Sequence, residues 1–441
     1  MELVRAAFYS VLNSLEPLAR RFLSSRIQED PLFWRGRLGH YHTESEKPGR
    51  PRIWLHAASV GEVTGAIPIV RTLRDQLPDA GITLTVTTPQ GFQFARTNLS
   101  PYAQILPFPL DFPPALERAF RQLLPDLYVG LEGEFWPNLF HFLERYQTPA
   151  LLLNGRLSHR STIWYGLFQP LFKPIFRQFV WLAMHSEEDR RNVLLLGASP
   201  ERTCVLGSSK YDALVLRKDP EKVRRWRQAL GLSDGVPVIV GGSLRGQECI
   251  SLLEVFRDLS NSAPALVGLF APRHLTQVPT MAAWLERQGI PFQLFSQFDR
   301  ATARRSSSVI LVDRIGLLLD LYGLGDLVFC GGTLEPIGGH NIVEPAAWGK
   351  PVFYGPHLQK VADEHTILRT FRGSFLVQDA DDLRRQWVYW LQCLPDLQLH
   401  GEYARKALTR LGGVSTRQVE LIMRALSGDL VGLRQEAAKG L

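Results

Sequence analysis

From Pro51 onward, short apolar runs alternate with segments of helical periodicity, and this alternation restricts the chain to parallel sheets covered by crossover helices. RIWLHAA (52–58) reads as a buried strand, and VTGAIPIVRTLRDQL (63–77) reads as the helix that follows it. ITLTVTT (82–88), AQILPFPL (103–110), DLYVGLE (126–132), ALLLNGRL (150–157) and VWLAMHS (180–186) continue the strand series, with helical segments between most of them. A polar, Pro-broken stretch around Lys173–Arg177 interrupts the pattern before VWLAMHS. Gly, Ser and charge replace it at GSSKYDALVLRKDPEK (207–222), and a second alternation then begins: PVIVGGS, PALVGLFAPRH, SVILVDR, LVFCGGT and KPVFYGP. The fold class is therefore α/β, with two doubly wound domains, 34–210 and 211–441. Open α/β sheets bind ligands at the carboxyl ends of their strands, so an interdomain cleft is the expected site.

Residues 1–33 stand apart. The uncharged stretch Ala6–Leu15 is ten residues long, where a spanning helix needs about 20. Leu3, Ala7, Phe8, Val11, Leu12 and Leu15 share one helical side, followed by Pro17 and the basic Arg20, Arg21 and Arg26. This is the profile of a helix lying on an anionic membrane surface, or of one packing on its own domain. Fifty Lys and Arg against 43 Asp and Glu leave a net charge of +7, which suits an anionic substrate or surface and is too dilute for nucleic acid. Cys204, Cys249, Cys330 and Cys393 lie far apart with no CxxC, so neither a disulfide framework nor a structural metal site is expected.

Three stretches carry chemistry. Ser59-Val60-Gly61-Glu62 follows a strand and opens a helix. There Glu62 either takes a proton from an attacking hydroxyl or complements a helix N-terminus, and Gly61 leaves room beside it. Glu132 and Glu134, in EGEFWPN at another strand-to-helix junction, either hold a polyhydroxylated substrate or cap a helix. The Gly-rich run from Gly331 to Pro345 lies between a strand and a helix, the arrangement that offers free amides and a positive dipole end to phosphate. Gly338, Gly339, His340 and a capping Asn341 belong to that run, and Glu344, one turn in, is placed to accept from a ribose diol. Arg273 and His274 end another strand; Arg273 and Lys210 either bind the same phosphate or are surface cations. No Walker A, GxGxxG after the first strand, HExxH or GxSxG motif is present.

These residues resemble the 3-deoxy-D-manno-octulosonic acid (Kdo) transferase family over nearly the whole chain from Trp34. The matching motifs include RGRLG (35–39), WLHAASVGEV (54–63), TTPQG (87–91), PLDF (109–112), EGEFWPNL (132–139), NGRLSHRS (154–161), GSSKYD (207–212), APRH (271–274), GGTLEPIGGHNIVEPA (331–346) and GPH (355–357). The resemblance implies a GT-B glycosyltransferase that moves Kdo from CMP-Kdo to a lipid A precursor with inversion, at the cytoplasmic face of the inner membrane, without a cofactor or metal. It implies that 34–210 binds the acceptor and 211–441 the donor. Glu62 becomes the general base, with Ser59, Gly61, Glu132 and Glu134 on the acceptor side. Arg273, His274, Gly338, Gly339, His340, Asn341 and Lys210 become donor contacts, and Glu344 the ribose ligand. The chain departs from the family pattern at Leu244-Arg245, after Ser243, and at Gln359-Lys360-Val361.

Overall fold

The computed structural model describes residues 25–41, 49–299 and 304–429. The amphipathic run from Leu3 to Leu15, with its basic flank at Arg20 and Arg21, lies outside the described residues. The chain divides into two compact units, one containing residues up to Ala213 and those from Gly412, the other Leu214–Leu411.

The first unit holds strands β1 (Arg52–Ala57), β2 (Gly81–Val86), β3 (Gln104–Pro107), β4 (Leu127–Leu131), β5 (Ala150–Gly155), β6 (Phe179–Met184) and β7 (Thr203–Val205). They form one sheet in the order β3-β2-β1-β4-β5-β6-β7, parallel throughout. Alternate residues of β1 serve opposite faces, as strand geometry requires. Ile53, Leu55 and Ala57 pack with Val63, Ile67 and Val70 of the helix Val60–Gln76. Trp54 packs on the other side with Phe108, Phe120 and Tyr128. Both faces are covered, which explains why the strands read as unbroken apolar runs.

The second unit holds β8 (Val238–Leu244), β9 (Val267–Pro272), β10 (Phe292–Leu294), β11 (Val309–Leu311), β12 (Leu327–Cys330), β13 (Val352–Tyr354) and β14 (Ser374–Leu376). Its order is β10-β11-β9-β8-β12-β13-β14, again parallel. In each sheet the order of strand addition reverses beside the first strand, between β1 and β4 and between β8 and β12. These are the topological switch points where such folds bind ligands.

Two expectations are corrected. The division at 211–441 fails at the end, because the helix Val414–Ser427 returns to the first unit and buries Val419, Leu421 and Ile422 against the core around Val63 and Ile67. Asp212 docks it by accepting from the amides of Gly413 at 2.6 Å and Ser415 at 2.7 Å. The stretch around Lys173–Arg177 is not a break but part of a helix, Gln169–Gln178, with Pro174 inside it. Ile175 and Phe176 anchor that helix in the core and override the missing proline N–H. The short strands β7, β10 and β14 were not read from the sequence; they are only partly buried, unlike the equally short β11 and β13, whose residues are all buried.

Candidate active site

The β1/β4 switch point gathers three carboxylates. Ser59 is the N-cap of the helix Val60–Gln76, and Glu62 sits in its first turn. The Ala58 amide donates to Glu62 Oε2 at 2.6 Å, and the Ser59 hydroxyl donates to Oε1 at 3.3 Å. Half-burial outweighs these donors and, with the charges of Glu132 and Glu134, pushes the Glu62 carboxyl up to about 7. The group is therefore poised to gain or lose a proton near neutrality. Gly61 is exposed, and a Cβ there would clear its nearest neighbours, Ser59 Oγ and Lys210 Nζ, at 3.7 and 3.8 Å. Among the described residues no contact demands a glycine at this position.

Glu132 closes β4 with φ at +62°, a left-handed conformation uncommon for a residue with a side chain. Its amide donates to Leu153 O and its carbonyl accepts from Arg156, both at 3.0 Å, which fixes the turn. The carboxylate is ion-paired with Lys210. Lys210 is held in turn by a buried polar network. Asn154 Oδ1 accepts from the Ser209 amide and from Gln418 Nε2, both at 2.9 Å, and the Ser209 hydroxyl donates to Gly65 O at 2.8 Å. Lys210, expected among the donor contacts, pairs with Glu132 of the first unit in this structure.

Glu134 takes the indole N–H of Trp136 at 2.8 Å and lies 3.8 Å from His56 Nε2. His56 is fully buried, stacks on Phe108 at 3.8 Å between centroids, and places Nδ1 3.1 Å from Thr85 O. A carbonyl only accepts, so Nδ1 carries a proton and Nε2 faces Glu134. Burial pulls the imidazole below its ordinary range, and the Glu134 carboxylate opposes that pull. His56 was not read as a site residue because a lone histidine inside a strand resembles core. The PLDF motif also finds its reason here: Asp111 caps the helix Pro137–Arg145, accepting from the amides of Asn138 at 3.1 Å and Leu139 at 2.8 Å.

The β8/β12 switch point of the second unit is built differently. The Glu248 carboxylate, 2% exposed, accepts four backbone N–H groups: Arg245 at 2.9 Å, Gly332 at 2.6 Å, Thr333 at 2.9 Å and Leu334 at 2.7 Å. The amides of Gly332, Thr333 and Leu334 are therefore taken up by an internal anion. The helix that follows is only Glu344–Ala347, with Val343 rather than Asn341 at its N-cap, so its dipole is too short to carry the binding. Positive charge comes from side chains instead. Burial, then the charges of Arg273, Arg245, Lys360 and His274, lower His340 to about 4. His340 Nε2 is buried with no hydrogen-bond partner among the described residues, and its ring lies where a Cβ on Gly332 (φ +72°) would stand, 2.7 Å from Cδ2. Asn341 Nδ2 donates to Glu344 Oε1 at 3.2 Å. Burial raises the Glu344 carboxyl, opposed by Arg217, the Asn341 hydrogen bond and Arg273.

Residues 33–213 match the family described as 3-Deoxy-D-manno-octulosonic-acid transferase (kdotransferase). A 3-deoxy-D-manno-octulosonic acid transferase from Chlamydia trachomatis is 31% identical over 312 residues, 70% of each chain. The chain belongs to the Kdo transferase family. As a member it is a glycosyltransferase. A bifunctional glycosyltransferase/methyltransferase from Fusobacterium nucleatum is 30% identical over 75% of this chain, which spans about half (51%) of that protein's length. A solved UDP-GlcNAc 2-epimerase from Neisseria meningitidis, at 14% identity and a TM-score of 0.61 over 84% of this chain and 99% of that one, shows the same GT-B class of fold.

Within the family frame, the structure brings Ser59, Gly61, Glu62, Glu132, Glu134 and Lys210 together in one unit. It groups Arg273, His274 and His340 in the other, where Gly338, Gly339, Asn341 and Glu344 continue the same loop. Sequence reasoning missed His56 and the clamp made by Glu248. The legible signal for the clamp was an acid opening a helix directly after the first strand of the second alternation. Arg245 and Lys360, met only as departures from the family pattern, stand in the positive cluster around His340.

Proposed function

We propose that the protein transfers Kdo from CMP-Kdo to a lipid A precursor, with inversion, at the cytoplasmic face of the inner membrane, in lipopolysaccharide synthesis. The observation that carries this reading is the Glu62 carboxylate at the β1/β4 switch point of a Kdo transferase family member, met by the Ala58 amide and the Ser59 hydroxyl beside two further carboxylates. Ionised Glu62 takes the proton of an acceptor sugar hydroxyl. That oxygen bonds to the anomeric carbon of Kdo as the bond to the cytidine phosphate breaks, and CMP leaves with the electron pair.

Glu132 and Glu134 support the acceptor side. Arg273, His274, His340 and Asn341, with the chain-specific Arg245 and Lys360, meet the phosphate and the Kdo carboxylate, and Gly338 and Gly339 let the loop approach them. Fixed donors placed where negative charge develops serve such a leaving group. Glu344 binds the ribose. Lys210 acts through Glu132 in this reading. Among the described residues no group of three His, Cys, Asp or Glu side chains is arranged to hold a metal ion. No described helix is long and apolar enough to cross a membrane.

The test is CMP release from CMP-Kdo with and without a lipid A precursor, run beside calorimetry with CMP and UMP. Acceptor-dependent CMP release and a preference for CMP support the reading. Preference for UMP, or no acceptor dependence, overturns it.

A further inference from the structure

Gln418, on the C-terminal helix Val414–Ser427, is fully buried in the first unit. Its Nε2 donates to Asn154 Oδ1 at 2.9 Å, while its Oε1 is buried with no hydrogen-bond partner among the described residues. A buried acceptor left unpaired is destabilising, and an apolar side chain would fill the place without that cost. The helix is already held by Val419, Leu421 and Ile422 and by the two amides that Asp212 takes at its start. Fold stability therefore does not call for an amide at 418.

The amide instead completes a chain of hydrogen bonds whose direction is fixed throughout. The Ser209 N–H can only donate, so the oxygen of Asn154 must face it, at 2.9 Å. That oxygen takes its second donor from Gln418. Asn154 Nδ2 donates to Ser209 Oγ at 2.8 Å, which leaves the Ser209 hydroxyl proton for Gly65 O at 2.8 Å. Lys210 is the next residue, and its stem crosses the helix Val60–Gln76 where two glycines stand one turn apart. A Cβ on Gly65 would lie 3.1 Å from Asn154 Nδ2 and 3.5 Å from Lys210 Cγ, and one on Gly61 would lie 3.8 Å from Lys210 Nζ. The ammonium thus ends beside the turn that holds Glu62, paired with Glu132. Glu62, Glu134, Arg156 and His185 are the other charged or titratable groups around this pair. Burial and then the charge of Arg156 lower His185 to about 4, so it stays neutral where Glu62 titrates.

We propose that Gln418 is a positioning residue for the transfer reaction: through Asn154 and Ser209 it fixes Lys210 against Glu132, beside Glu62. Lys210 so held offsets a like charge that opposes ionisation of the base, and the C-terminal helix becomes part of the support of Glu62. The proposal deepens the transferase reading and rests on Glu62 as its base.

The experiment makes Gln418→Leu in the parent and in the Lys210→Met background, with folding checked by denaturant titration. One readout is the ascending pH limb of kcat/KM for acceptor-dependent CMP release. The other, independent of turnover, is the carbon-13 NMR titration of the Glu62 carboxyl, assigned by its absence in Glu62→Gln. A loosened Lys210 leaves more of the Glu132 charge facing Glu62, so both readouts rise from about 7. A rise of about half a unit lowers the rate at pH 7 by about twofold, and the parent rate returns above the raised limb. In the Lys210→Met background Gln418→Leu moves neither readout further, because residues acting as one chain are not additive. An unmoved titration, or the same shift with and without Lys210, overturns the proposal and leaves Gln418 a structural tie. If Gln418→Leu does not fold, Gly65→Ala is read in the same way, since its methyl presses on Asn154 Nδ2 while Ala favours the helix. A carboxyl titration that shifts as described, with no CMP release by the parent, supports the positioning and sinks the transferase reading.

Discussion

Glu62 and Glu248 occupy matching places in the two units, in the first turn of the helix that follows β1 in one and β8 in the other, yet their surroundings are opposite. Glu248 is saturated by four amides and nearly sealed from water. Glu62 has one amide, one hydroxyl at 3.3 Å, and two like charges nearby. A carboxylate with every lone pair engaged is a structural tie. One with few donors and unfavourable neighbours stores the free energy that makes proton transfer easy. The number of backbone donors, rather than the acid or its position, separates the two roles.

The comparison is tested most severely by Glu62→Gln. Loss of a general base lowers kcat/KM by about 10²–10⁴-fold, with CMP affinity by calorimetry unchanged. The stability sign follows from linkage. The native carboxyl is raised from its ordinary 4.5 to about 7, so between those values the folded state binds more protons than the unfolded one, and stability falls as pH rises through that window. Gln carries no charge to bury, so at pH 8 the variant melts at or above the parent temperature by calorimetric scan. A variant that is both inactive and destabilised would assign Glu62 to Glu248's class.

Glu248→Gln inverts the pattern. Each carboxylate oxygen accepts two N–H groups, so an amide NH₂ in place of one oxygen faces two donors and leaves both unpaired. At about 1–3 kcal/mol for each buried orphan, denaturant titration loses at least about 2 kcal/mol. Wild-type stability would show that the clamp is dispensable and return the Gly332–Leu334 amides to the candidate phosphate site.

This contrast also explains how far the sequence could be read. β1, β4, β8 and β12 were legible because central strands buried on both faces are long apolar runs, and their carboxyl ends located Glu62, Glu132 and the Gly-rich loop. The return of the helix Val414–Ser427 was not legible. Its tie to the site, Gln418 to Asn154, joins residues 264 positions apart, and nothing local in either segment encodes the pairing. The Glu248 clamp was signalled only by an acid opening a helix, which does not tell what that acid meets. A Gly-rich loop before a helix has one sequence signature whether its amides meet a ligand's phosphate or the chain's own carboxylate.

Lys210→Met gives a smaller effect. It removes the counter-ion of Glu132, whose full charge then adds to that already opposing ionisation of Glu62. The ascending limb of kcat/KM moves up from about 7, and a shift of one unit lowers the rate at pH 7 by about fivefold. Recovery of the parent rate above the shifted limb separates this tuning from a direct donor contact, which would leave a loss at every pH.

The smallest change expected is at Ser59. A serine N-cap replaced by Ala ordinarily costs about 0.5–2 kcal/mol, but here the hydroxyl makes no cap bond to the helix backbone and instead donates to Glu62 at 3.3 Å. Ser59→Ala therefore changes stability by at most a few tenths of a kcal/mol, and it withdraws a donor that favours the ionised carboxyl. The pH limb rises by less than in Lys210→Met, since a long hydrogen bond is lost rather than an ion pair. A normal capping loss with an unmoved limb would show that Ser59 serves the helix. Glu62 would then owe its ionised form to the Ala58 amide alone, one donor against the four that hold Glu248.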